Sequence, residues 1–159
     1  MTRILTFLLL GTLSVLIAQE ATGPDTDEVE RDLLAAMKSA TTERERKILG
    51  YIWRYGEIQK KHEDVDAFFS AKDGIDEFEA YALAQTYFEW YVSGCGFIEL
   101  PEKKGSLWVV PILVGRGVKP GPPIIIDSKN GFLRCDGYSD LSDPEGFLRE
   151  PKQYRMKNK

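Results

Sequence analysis

Two cysteines, one histidine and a scatter of carboxylates are the side chains in this 159-residue sequence that catalysis or metal binding would have to use. Cys95 lies in Ser93-Gly94-Cys95-Gly96 and Cys135 in Leu133-Arg134-Cys135-Asp136. A nucleophilic or redox cysteine needs a neighbour that stabilises its thiolate, either a second cysteine at Cys-x-x-Cys spacing or an imidazole base. Neither pattern occurs. His62 stands in the charged run His62-Glu63-Asp64-Val65-Asp66, which reads as an exposed connector. A structural zinc site draws its four ligands from Cys and His, and the chain holds too few of both. No catalytic residue, metal or cofactor is therefore expected.

Paired carboxylates are the remaining route to acid/base chemistry. Glu79 and Glu89 share the polar strip of a long helix, and Asp64 and Asp66 share the connector; both pairs read as solvated surface. Asp127 ends Pro122-Pro123-Ile124-Ile125-Ile126-Asp127 and opens a turn, where an aspartate bonds to the backbone two residues on; a binding role at the strand end is the alternative. The loop Gly115-Arg116-Gly117-Val118-Lys119-Pro120-Gly121 offers amides and two cations. A phosphate loop must open a helix, whereas Pro120, Pro122 and Pro123 lead into extended chain. The loop reads instead as a rigid projection suited to a protein partner. Tyr81, Tyr87, Trp90, Tyr91 and Trp108 are core aromatics, or else they line a ligand pocket between helix and sheet. Trp108, Arg116, Lys119 and Asp127 are the candidate partner-binding residues.

The elements that hold these residues follow from periodicity. Val29, Leu33, Ala36, Met37 and Ala40 recur at helical spacing behind the capping sequence Asp25-Thr26-Asp27-Glu28. Thr42-Glu43-Arg44-Glu45 opens a second helix with Ile48, Leu49, Ile52, Trp53 and Tyr55 on one stripe, ending at Gly56 or near Lys60-Lys61. Val65, Phe68 and Phe69 suggest a short helical turn closed by Lys72-Asp73-Gly74. Asp76-Glu77-Phe78-Glu79 opens a third helix, running to about Ser93, with two apolar stripes and only Glu79, Thr86, Glu89 and Ser93 polar; such a helix is largely buried. Beyond residue 96 the period becomes extended. Strands are predicted at Phe97–Leu100, Ser106–Val114, Pro122–Asp127 and Phe132–Cys135, with Pro101–Gly105 a turn and Gly115–Gly121 a loop. Pro111 places its strand on an edge or at a bulge. Ser142-Asp143-Pro144-Glu145 starts a short terminal helix. The fold class is α+β: N-terminal helices followed by an antiparallel four-stranded meander curled on a long buried helix.

Composition and the N-terminus set the compartment. The chain is 43% hydrophobic and 29% charged, enough apolar material for one core, and its net charge of -4 argues against nucleic acid as partner. After Arg3, the stretch from Ile4 to Ala18 is almost wholly apolar and shorter than the roughly 20 residues that span a bilayer. Residues 1–18 read as a signal peptide, cleaved after Ala18 or as late as residue 23. A flexible lead-in at 19–24, a single domain at 25–148 and a basic tail at 149–159 follow. The mature protein is expected to be periplasmic or secreted, without membrane attachment. In that compartment Cys95 and Cys135 are expected to form a disulfide, closing a loop of about 40 residues for about 4 kcal/mol.

One stretch carries a family likeness. The helix EAYALAQTYFEWYVSGCG, the Trp-bearing strand LWVVPILV, the Gly/Pro loop and the strand ending in PPIIIDSKNG resemble bacterial immunity proteins of the nuclear-transport-factor-like, cystatin-like fold. The Asp127 to Gly131 turn matches that family's Asp-x-x-x-Gly. The layout is also similar to small peptidase-propeptide modules. The first resemblance implies an α+β roll that neutralises a protein toxin without catalysis, and the second an inhibitory module that binds a protease. The signal peptide and the cysteine pair depart from the immunity pattern. Small-ligand-binding or enzymatic domains share the roll.

Overall fold

The computed structural model describes residues 26–61, 65, 68–92, 95–115 and 119–151. The expected signal peptide and lead-in, His62, Asp64, Asp66, Arg116 and most of the basic tail lie outside these residues. The chain divides into two compact units, one ending at Lys61 and the other beginning at His62.

The first unit is a helical hairpin, α1 (Thr26–Ser39) and α2 (Glu43–Lys61), whose helices pack on each other. Thr42 caps α2: its hydroxyl accepts from Glu45 N at 3.1 Å, and Glu45 Oε2 accepts in return from the Thr41 and Thr42 amides at 3.0 Å. These bonds satisfy amides that have no partner inside the helix. Leu33, Leu49, Tyr55 and Ile58 are buried, while Ile48, Ile52 and Trp53 of the predicted stripe are half-buried.

The second unit is built around α3 (Glu77–Tyr87), which continues as a π-helical turn at Phe88–Val92. Asp76 and Glu79 form a reciprocal capping box at its start. Phe78 and every residue from Ala80 to Phe88 are buried. Of the polar strip expected to face solvent, Glu79 and Glu89 are half-buried and Thr86 is buried: it turns its hydroxyl onto the Ala82 carbonyl at 2.9 Å, which lets a threonine lie in an apolar layer.

Among the described residues seven strands follow: β1 (Gly96–Ile98), β2 (Glu102–Lys104), β3 (Leu107–Val110), β4 (Ile112–Val114), β5 (Lys119–Pro120), β6 (Ile124–Asp127) and β7 (Leu133–Arg134). All pairs are antiparallel, as expected, but they form two sheets, β1-β4-β5 and β2-β3-β6-β7, rather than one four-stranded meander. The register gives the reason. Between the pairs Ile98↔Ile112 and Glu102↔Val109, residues 99–101 stand against 110–111, three facing two. Between Val110↔Ile124 and Leu113↔Pro120, residues 111–112 stand against 121–123, two facing three. Each mismatch is a one-residue bulge, and each contains proline: Pro101, Pro111, Pro122 and Pro123. Proline has no N–H for the ladder, so pairing fails at one level across neighbouring strands and the sheet creases there. Two bonds tie the crease, Glu99 N to Pro111 O at 2.9 Å and Gly121 N to Ile112 O at 3.0 Å.

Two other expectations are corrected here. Glu102–Lys104, expected as part of a turn, is a strand, and the turn itself lies at Gly105-Ser106. The Gly115–Gly121 loop contains β5, which pairs antiparallel with β4. Gly96 makes the step from α3 into β1 at φ 142°; a Cβ there would run into the Leu113 carbonyl oxygen and lie 2.9 Å from Phe88 Cζ. α3 packs on β1, β3 and the terminal helix α4 (Pro144–Arg149), which Asp143 caps through Gly146 N at 2.9 Å. Val110, Ile112, Ile124, Ile126, Leu133, Leu141 and Phe147 complete the core.

Candidate protein-contact face

Cys95 and Cys135 do not form the expected disulfide; both are thiols, the first exposed and the second buried. The two residues adjoin different sheets. Cys95 precedes β1, an edge strand of one sheet, and Cys135 follows β7, an edge strand of the other. Cys135 Sγ donates to the Pro122 carbonyl at 3.5 Å, and burial pushes its thiol up to about 11, away from nucleophilic reactivity.

The carboxylates hold backbone. Glu79, expected on a solvated strip, is half-buried: Oε2 accepts from Asp76 N at 2.7 Å and Oε1 from Ser70 N at 3.2 Å. Desolvation raises its pKa above the ordinary value despite these bonds. Glu89 is also half-buried and takes the Gln85 side-chain amide at 2.7 Å. Glu145 Oε1 accepts from Ala71 N at 3.2 Å. Asp127 opens its turn: Oδ1 accepts from Lys129 N at 2.7 Å, and its backbone bonds to Phe132 O and Gly131 N. Among the described residues no group of three or more His, Cys, Asp or Glu is placed to hold a metal ion.

The aromatics pack on one another. Tyr87 and Tyr91 stack at 4.9 Å between ring centroids, with Phe147 tilted against Tyr91 at 5.8 Å, and the Tyr87 hydroxyl donates to Ser139 O. Burial raises the pKa of both Tyr81 and Tyr87. Trp108 donates Nε1–H to the Ile75 carbonyl at 2.8 Å, and Lys103 Nζ sits 4.3 Å from its ring centroid. This tryptophan anchors the segment before α3 to the sheet.

Trp108, Lys119 and Asp127, the candidate partner residues that are described, do not form one surface. Side chains alternate between the faces of a strand. In the four-stranded sheet the pairing Lys103↔Trp108↔Ile126↔Leu133 puts Trp108 on the buried face, since Ile126 and Leu133 are in the core. Asp127 falls on the opposite face. Lys119 belongs to the other sheet, where it is exposed opposite Val114, and Arg116 lies outside the described residues.

That opposite face is the feature sequence reasoning missed. One cross-strand row is Glu102-Val109-Ile125-Arg134 and the next is Lys104-Leu107-Asp127, continued by Phe132 through its carbonyl bond to Asp127 N. Leu107, Val109 and Ile125 are half-buried and Phe132 is 37% exposed. An antiparallel sheet with one solvated face ordinarily alternates apolar with polar residues. LWVV and the Ile124-Ile125-Ile126 run are instead apolar at both parities, which is the available sequence signal for strands covered on two sides. The β2 margin carries the ion pair Lys104 to Glu102 at 3.4 Å, a charged edge that resists indiscriminate strand pairing. Compared with protein-family models, curated proteins and solved structures, the chain matches none.

Proposed function

We propose that this chain is an exported, non-catalytic protein that works by binding another protein through the outward face of its four-stranded sheet. The observation that carries the reading is the placement of Leu107, Val109, Ile125 and exposed Phe132 side by side where a solvated sheet face would be polar. Two features favour binding over catalysis. Glu79, Asp127, Asp143 and Glu145 hold backbone amides, and the Cys135 thiol is buried with a raised pKa. Export rests on the apolar run Ile4 to Ala18. Within the binding class, the immunity-type version is a stoichiometric complex with an exported toxin, and the propeptide-like version is inhibition of a protease.

Tagged mature protein incubated with the extracytoplasmic fraction of its own cells is expected to retain one protein at equal stoichiometry through a salt wash. Phe132→Asp, at an exposed position, should abolish retention while leaving the far-ultraviolet circular dichroism unchanged. Retention by the variant would move the site off this face, and absence of any retained protein would overturn the binding reading. The identity of the captured protein separates toxin from protease.

A further inference from the structure

The two margins of the outward face are electrically different. At β2, Glu102 and Lys104 neutralise each other at 3.4 Å. At β7, Arg134 is exposed, directly across from Ile125. Asp127, diagonal to it on the same face, has Oδ1 engaged by Lys129 N at 2.7 Å. The row Val109-Ile125-Arg134 therefore runs from apolar to cationic over three neighbouring strands, about 4.8 Å apart. Next to it lie Leu107 and Phe132.

Resting on the binding reading above, we propose that the occupant of this face is an amphipathic segment of a protein partner, apolar along one side with a carboxylate at its margin. The apolar side chains cover Leu107, Val109 and Ile125, Phe132 closes over them, and the carboxylate meets the Arg134 guanidinium. A guanidinium presents paired N–H donors that match a carboxylate's two oxygens, and covering the apolar row removes water from that contact. Charge at such a rim selects the partner and its orientation, while the apolar row supplies most of the attraction. A cationic segment would leave Arg134 facing like charge and is selected against.

The test is selection from a displayed library of random linear peptides on the purified mature chain, followed by binding assays of the winners against variants. Expected winners combine apolar residues with Asp or Glu, lose about tenfold in affinity against Arg134→Glu, and regain it when their acid is changed to Lys. Winners that lose binding to Phe132→Asp but are indifferent to Arg134→Glu would overturn the carboxylate and leave the face as a binding surface. Winners that bind Phe132→Asp unchanged, or no enrichment at all, would overturn the face itself. Far-ultraviolet circular dichroism and urea unfolding of each variant check that the fold is intact.

Discussion

The same four-residue device starts a helix in each unit of this protein, and its carboxylate is driven in opposite directions. In the helical hairpin, Glu45 accepts the Thr41 and Thr42 amides at an open helix end, and those bonds lower its pKa. In the α+β unit, Glu79 accepts the Ser70 and Asp76 amides, yet desolvation outweighs them and its pKa rises. Hydrogen bonds to the charged form and burial act with opposite sign on a carboxylate, so burial decides the outcome when the bonds are alike. A motif thus specifies which atoms meet, and the surroundings specify what the meeting is worth.

The contrast between an open hairpin and an enclosed α3 predicts opposite responses to the same substitution. Gly96→Ala has the largest expected effect, a loss of about 3 kcal/mol, because the added methyl meets the Leu113 carbonyl at a positive φ. Urea unfolding measures it; a loss below about 1 kcal/mol would mean that the step from α3 into β1 yields easily. Asp76→Ala should cost about 2 kcal/mol, against about 1 kcal/mol for Thr42→Ala, since the amides left open at Asp76 lie nearer the core. Equal costs would break the comparison. Gly50→Ala and Gly56→Ala should each stabilise α2 by about 0.5–1 kcal/mol, as nothing lies within 4 Å of the new methyl.

The smallest effect is in pH dependence, and its sign separates the two units. Glu79 holds its proton more tightly folded than unfolded, so its contribution is present at low pH and is lost as pH rises from 4.5 through its raised folded value. Glu45 does the reverse: its contribution is present above 4.5 and is lost as pH falls through its lowered folded value. Glu79→Gln, which keeps an acceptor for the capping box, should flatten the first slope and leave the second. An unchanged slope above pH 4.5 in urea titrations of the variant would remove desolvation as the dominant cause.

Local rules read from the chain carried far where the physics is local. The caps at Thr42, Asp76 and Asp143, the Asp127 turn and the buried character of α3 all depend on residues within a few positions of one another. Pro111 announced a break in pairing because a missing N–H is a property of the residue itself. The candidate face was less legible. Trp108 and Asp127 were singled out by type and proximity to a turn, but residues on opposite faces of one sheet share no surface.

By itself, then, the sequence determined the α+β class, the helix starts and the level at which the strands are interrupted. Tertiary structure decided the rest. Aligned bulges at Pro101, Pro111 and Pro122-Pro123 split the sheet, because a crease needs neighbouring strands to fail at the same height. Cys95 was left as a thiol beside one sheet and Cys135 as a thiol beside the other, because which sheet a residue adjoins is not written in the spacing of residues along the chain. Cross-strand register assembled Leu107, Val109, Ile125, Phe132 and Arg134 into one face, because side chains far apart in sequence become neighbours only when the pairing is set.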